Sequence, residues 1–177
     1  MISKTLWIAL ILTFISFFSM AHEAKEEQGV NEALDQFHQA AAEANTHVYL
    51  GLLTDDAIFL GTDASERWNK EQFTAFVLPY FNQGKGWLYE VKQRNISLLN
   101  QGSVAFFDEI LENNNYGYCR GSGVLVKTNQ GWKISQYSLS LLVPNDVANK
   151  VVEQIKDYGQ QKNDHQKNGQ QKNEQQK

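Results

Sequence analysis

The chain has 177 residues, of which 42% are hydrophobic and 12% aromatic, enough to fill the core of one domain and too few for two. A formal charge of −4 argues against a nucleic-acid binder that works through a basic surface. A single cysteine, Cys119, excludes an internal disulfide and any CxxC metal or redox motif.

The first residues read as a secretory signal. Lys4 is followed by a mostly apolar run over residues 6–20, with the small residues Ser19 and Ala21 placed for cleavage before His22. A signal peptide over 1–21 and a short N-terminal linker over 22–29 are expected. The mature chain is then exported, periplasmic or secreted, with no stable membrane association after cleavage. No cysteine follows the apolar run, so no lipid anchor is expected. At the other end QKN recurs at Gln161, Gln166 and Gln171, with no apolar residue to bury, so 159–177 is expected to be a disordered, solvated tail. Without Lys4 and that tail, 11 basic and 18 acidic residues remain over 22–158, a net charge of −7.

The domain between, 30–158, starts with helices. Val30, Ala33, Leu34, Phe37, Ala40, Ala41 and Ala44 follow helical spacing, with Asn31 as the expected N-cap. Asn45 can cap a second, short helix through Leu53. Thr54-Asp55-Asp56 reads as a turn and Ala57 to Leu60 as a short buried strand closed by Gly61. Asn69 is the N-cap of a third helix carrying Phe73, Phe76, Val77, Tyr80 and Phe81, which Pro79 should end or bend.

Four strands follow, at 87–99, 103–112, 119–128 and 132–143, separated by short turns rich in Asn and Gly. Short connections predict an antiparallel meander. Pro144-Asn145-Asp146 then precedes a last helix from Val147 to about Tyr158. The fold class is α+β, with the leading helices covering one face of a curved antiparallel sheet.

Element order and several strings resemble the SnoaL-like branch of the NTF2-like superfamily, a cone-shaped fold also used by ketosteroid isomerase. The strings run from Gly61 to Trp68, Phe106 to Glu109, Cys119 to Val124 and Gly131 to Ile134, and the exit at Pro144 also fits. The resemblance implies a conical pocket and a homodimer built through the sheet. It does not select a reaction, because this scaffold carries isomerases, cyclases, dehydratases and binding modules alike.

Strand alternation sends Asp108 and Glu109 to opposite faces, so they cannot form one catalytic pair; which of them faces inward stays open. Both faces of that strand are otherwise apolar, which supports covering by helices on one side and a partner chain on the other. The pocket is expected to be lined by Phe37, Tyr49, Phe76, Tyr80, Trp87, Phe107 and Trp132, with Asp63, Arg67, Arg94 and Glu109 orienting a ligand. Arg94 or Arg120 is expected to pair with Asp108 or Glu109, and Arg120 leans toward a face with buried groups. Glu66 and Arg67 can pair locally. Asp63, Glu66 or Glu109 are candidate proton acceptors and Tyr49, Tyr80, Tyr89 or Tyr137 candidate donors, as ketosteroid-isomerase-like chemistry would require.

His38 and His47 lie nine apart on different expected helices, so no metal is expected, and no cofactor motif is found. Cys119 reads as a buried thiol. Gly121-Ser122-Gly123 reads as close packing or a bulge. Three functions stay open: a small-molecule binding cone, an acid–base enzyme of the isomerase, cyclase or dehydratase type with Asp63 and Glu109 as candidates, and a non-catalytic dimeric interaction module.

Overall fold

The apolar stripe that starts at Val30 belongs to a much longer helix, α1 (Lys4–Ala42). The computed structural model describes residues 4–174, with side chains from 22 to 162. The first three residues of the expected signal and the last three of the expected tail lie outside the described residues. Helix α1 passes the expected cleavage point without interruption. Asn31 is therefore not a cap but a mid-helix residue, its Nδ2 donating 3.3 Å to the Glu27 carbonyl. The expected linker 22–29 is helical too. Its Glu26 is buried, because its carboxylate accepts from Lys127 Nζ and, at 3.3 Å, from Trp132 Nε1. Those partners lie 101 and 106 residues away, beyond the reach of local spacing.

Helix α2 (Thr46–Gly51) begins where expected, with the Asn45 side chain accepting the Val48 N–H at 3.2 Å. Strand β1 (Leu53–Leu60) starts earlier than expected. Thr54-Asp55-Asp56 is not a turn: these residues sit where the pairing register shifts between Leu53 and Ile58, and the bulge leaves Asp55 and Asp56 exposed while the strand continues. A three-residue strand, β2 (Arg67–Asn69), pairs antiparallel with β1 and has no counterpart in the sequence reading.

Helix α3 (Lys70–Phe81) carries the expected cap as a full capping box. Asn69 Oδ1 accepts the Gln72 N–H at 2.9 Å, and Gln72 Oε1 accepts the Asn69 N–H at 3.1 Å. Pro79 lies in the last turn, and the helix ends two residues later. Strands β3 (Glu90–Leu99), β4 (Val104–Asn113), β5 (Gly117–Thr128) and β6 (Gly131–Leu141) form the expected antiparallel meander. The sheet order is β2-β1-β6-β5-β4-β3. The pairing of β1 with β6 is parallel, so the sheet is mixed rather than wholly antiparallel. These two strands are joined by the rest of the fold and not by a hairpin, which removes the constraint that makes the others antiparallel.

One face of the sheet is covered by the three helices. Val30, Leu34 and Phe37 of α1, Tyr49 of α2, and Phe73, Val77 and Phe81 of α3 pack against Ala57, Phe59, Phe107, Leu125, Ile134 and Tyr137. Each such fully buried large side chain contributes about 1.5–3 kcal/mol of transfer free energy. A second unit spans residues 142–177 and contains helix α4 (Ala148–Glu174). Its backbone is helical through residues 159–174, where the sequence alone reads a tail; the side chains of Gln160, Gln161 and Lys162 are exposed.

Gly86 sets the approach of the loop after α3. A Cβ there would lie 2.4 Å from the carbonyl oxygens of both Ala41 and Ala42. This close passage lets the Trp87 N–H reach Ala41 O at 3.1 Å. Gly86→Ala should therefore lower stability in urea by about 1–3 kcal/mol and red-shift tryptophan emission as Trp87 lifts away. Gly51→Ala, with no atom within 4 Å of the added Cβ, should not. Equal stabilities for the two variants would contradict the packing described.

Candidate functional site

Strand β4 alternates cleanly. Ala105, Phe107, Glu109 and Leu111 are fully buried toward the helices, while Val104, Phe106, Asp108 and Ile110 face the other side. Glu109 is thus the inward carboxylate, at 0% exposure, and Asp108 lies outside near Asn95. A buried carboxylate needs partners, and three elements supply them. His38 of α1 brings Nε2 to 2.6 Å from Glu109 Oε1, and Tyr137 of β6 donates its hydroxyl to the same oxygen at 3.1 Å. Arg94 of β3 donates Nε to Oε2 at 2.9 Å.

Arg94 continues the chain. Its Nη1 donates to Asp35 Oδ1 at 2.7 Å and to the Asn31 carbonyl and side-chain oxygens, tying β3 back to α1. Burial pushes the Glu109 carboxyl up, but the hydrogen bonds and charges of His38 and Arg94 outweigh it and hold the group below the ordinary carboxylate range. Glu109 is then ionised at neutral pH and can only accept. An ionised Glu109 therefore accepts from the His38 ring at Nε2. Tyr137 is pushed well above the usual tyrosine value, by burial first and then by the Glu109 charge, so it remains a neutral donor.

Gly121 of β5 makes the cluster sterically possible. A Cβ there would stand 2.4 Å from Tyr137 Oη and 2.8 Å from Glu109 Oε1. Gly123 has a different role, lying against Gln136 O of β6 beside the bulge between Val124 and Leu125. The expectation of close packing or a bulge holds for both.

In front of this cluster lies a cavity of about 390 Å³. Its inner wall consists of Phe37, His38, Tyr49, Phe59, Phe73 and Tyr137, all buried. Phe37 stacks on Tyr49 with ring centroids 4.4 Å apart, and Phe59 on Phe73 at 3.9 Å. The mouth carries Phe76, Tyr80, Trp87 and Tyr116, together with Thr62, Glu66, Asn113 and Asn115. Burial pushes the lining phenol Tyr89 up to about 12 and raises Tyr49 further still, so both stay protonated at neutral pH.

Of the residues expected in the pocket, Phe37, Tyr49, Phe76, Tyr80 and Trp87 line this one cavity. Glu109 and Arg94 do not line it; they stand one layer behind, reaching it through His38 and Tyr137. Phe107 is core beneath Tyr137, with ring centroids 5.8 Å apart. Trp132 lies elsewhere: it sits against Glu26 and Gly29, five residues from Tyr137, about 17 Å along β6.

Asp63 and Arg67 are also off the cavity. Asp63 Oδ1 accepts from the Ser65 N–H at 2.8 Å and its hydroxyl at 2.5 Å within the turn. Arg67 is exposed, because the alternation of β2 turns Trp68 inward instead. Glu66 is the carboxylate of that corner that reaches the cavity, with Oε2 accepting the Asp63 N–H at 3.1 Å rather than pairing with Arg67. Arg120 is exposed on the outer face opposite Ile110, not among buried groups. The expected arginine–carboxylate pair is Arg94 with Glu109.

His38 was not singled out as a site residue by the sequence reading. A signal existed: His38 stands four residues after Leu34 and three before Ala41, on the buried stripe of α1. Among the described residues no group of three His, Cys, Asp or Glu side chains is placed to hold a metal ion. Cys119 is buried, and burial raises its thiol.

The SnoaL-like domain family matches the sequence over residues 30–144. No curated protein matches it. Among solved structures, a domain with a cystatin-like fold from Nostoc punctiforme superposes with a TM-score of 0.60 at 14% identity, covering 79% of this chain and 93% of its own. A candidate scytalone dehydratase from Novosphingobium aromaticivorans gives 0.59 at 10% identity, covering 70% and 89%. An NTF2-like protein of unknown function from Pseudomonas putida gives 0.57 at 12%, covering 70% and 91%. At these identities the likeness is one of fold.

The lowered Glu109 carboxyl fixes a sign for acid denaturation. Its contribution to stability is complete above the ordinary carboxylate range and is lost as pH falls through that range toward the folded value, because the unfolded chain takes up the proton first. Glu109→Gln should cost about 3–5 kcal/mol at pH 7 by leaving the Arg94 charge less compensated. It should also flatten the acid limb of stability against pH in urea titrations from pH 7 to 3.5. Parallel acid limbs in the two proteins would refute the assignment.

Proposed function

The chain belongs to the SnoaL-like domain family, and from that premise we propose that it binds a small, largely apolar molecule of mixed polarity in the cone between its helices and sheet. The carrying observation is the aromatic cavity of about 390 Å³, whose inner wall is closed by rings except at His38. A ligand ring is held by the faces of Phe37, Tyr49, Phe59 and Phe73, and its hydroxyl or carbonyl is read by His38 and the neighbouring phenols. Residues 1–21 act as an export signal in this reading, so binding takes place outside the cytoplasm. No described helix is long and apolar enough to cross a membrane.

A second reading, acid–base catalysis, is favoured by one observation: the ring of His38 is oriented by an ionised, buried carboxylate. In an isomerase- or dehydratase-type step, His38 with Nδ1 unprotonated takes a proton from the substrate carbon and returns it to a second carbon or to the departing hydroxyl, and Glu109 stabilises the imidazolium between the two transfers. Tyr137 is occupied by Glu109, so Tyr49 or Tyr89 would donate to the developing oxyanion.

The outer face of the sheet supports a homodimer. Phe106 is 47% exposed there, beside Val104, Ile110, Val124 and Val126. Phe106→Glu should convert a dimer to a monomer in sedimentation velocity without altering the fold; an unchanged sedimentation coefficient would remove this interface.

For the cone, 2-naphthol should bind with micromolar affinity, read by quenching of tryptophan emission, and at least tenfold more tightly than naphthalene. His38→Leu should erase that difference while naphthalene binding is kept. Absence of saturable binding by either probe would end the binding reading.

A further inference from the structure

The charges around the cavity are distributed unevenly. Among the described residues no lysine or arginine lines it; apart from tyrosines, its ionisable side chains there are His38 in the inner wall and Glu66 at the mouth. The deeper carboxylate, Glu109, is balanced by Arg94 and faced by His38. Glu66 has no such balance: it forms no ion pair among the described residues, and its neighbour Arg67 points out to solvent.

The mouth that Glu66 shares is aromatic. Phe76 stacks on Trp68 at 4.7 Å and touches Tyr80 at 5.6 Å, and Tyr80 meets Trp87 edge-on at 6.2 Å. Phe76 and Tyr80 are 37% and 46% exposed, so their rings present surface to an arriving ligand. Aromatic faces carry negative electrostatic potential and attract cations, more strongly where water is partly excluded. A carboxylate beside such faces adds direct Coulombic attraction. The surplus negative charge over residues 22–158, −7, favours cations over anions in general.

From this rim we infer a ligand class: the cone takes a lipophilic ammonium, a protonated or quaternary amine whose apolar body enters the inner wall while its cationic head stays at the mouth against Glu66, Phe76, Tyr80 and Trp87. The inference rests on the reading of the cone as a binding site and adds to it the charge and polarity order of the ligand. The two ends differ in chemistry. Ring faces occur at both ends, but the inner wall has no carboxylate of its own and its one imidazole is engaged by Glu109, whereas the mouth combines ring faces with a carboxylate that has no counter-charge.

Calorimetry with three probes of one shape tests it: (2-naphthylmethyl)trimethylammonium, its neutral isostere 2-neopentylnaphthalene, and 2-naphthylmethanesulfonate. The cation should bind at least tenfold more tightly than the neutral isostere, and the sulfonate should not saturate. Glu66→Gln, which keeps an acceptor for the Asp63 N–H, should shrink the cation-to-neutral ratio below threefold with the neutral affinity unchanged. Tyr80→Leu, at an exposed position that the core does not need, should lower the cation affinity at least fivefold and leave the neutral one alone. In 1 M salt the ratio should narrow as the charges are screened. A neutral isostere that binds as well as the cation, or a ratio untouched by Glu66→Gln, overturns the ammonium assignment and leaves the cone reading intact. Failure of every probe, 2-naphthol included, overturns both.

Discussion

A full negative charge at zero exposure is the constraint around which the rest of this structure is organised. An isolated carboxylate in an apolar core either takes up a proton or is not tolerated. Glu109 does neither, because α1, β3 and β6 each contribute a donor within hydrogen-bond distance. The requirement is strict in direction as well as number. His38, Arg94 and Tyr137 must all point at one strand position, which fixes where α1 lies across the sheet and how β6 stands relative to β4. A slip of one residue in β4 would put the shorter Asp108 or the apolar Ile110 in that place and send Glu109 to the outer face. The ion chain is thus a register lock, and its specificity matters more than any net stabilisation it adds.

That lock explains features that look unrelated. Gly121 lies opposite Glu109 in the β4–β5 register and leaves the volume that Tyr137 Oη and Glu109 Oε1 fill. Asp35 and Asn31 accept from Nη1 of Arg94 while its Nη2 stays buried without a partner, so α1 is held by polar contacts beside its apolar stripe. The cavity inherits its rigidity from the same source. His38 and Tyr137 are wall residues whose orientation is set from behind, which is how a binding or proton-transfer group is held ready before a ligand arrives.

Much of the fold was legible because it follows from local chemistry. The caps at Asn45 and Asn69, the four-strand meander and the separation of Asp108 from Glu109 all depend on residues a few positions apart. The errors concern long-range partners. Thr54-Asp55-Asp56 has turn composition, yet pairing with β6, some 80 residues later, makes it a bulged strand. Glu26 reads as linker until Lys127 and Trp132 reach it. The pocket list shows the same division. Aromatics on α1, α2, α3 and the following loop do line the cavity, since facing the sheet and facing the cavity coincide there. Trp132 and Tyr137, five apart, share a face only because the β5–β6 register shifts between them, and they do not share a depth, about which period-two alternation carries no information. Asp63 was preferred to Glu66 as a pocket residue because turn chemistry identifies the capping side chain without showing which carboxylate turns inward.

The two carboxylates near the cavity differ in what surrounds them, and that difference decides what each can do. Glu109 is an internal structural charge; its field at the cavity is largely cancelled by Arg94, and what remains is spent on the imidazole it orients. Glu66 sits at the corner between β1 and β2, held by the Asp63 amide and close to Gly61, with water on one side and rings on the other. A charge in that position is neither neutralised by a partner nor fully screened by solvent. The inner wall therefore sets shape and hydrogen bonding while the mouth sets charge. In the proposed binding mode, a cone divided in this way would orient its ligand by electrostatics on entry, and only then by fit.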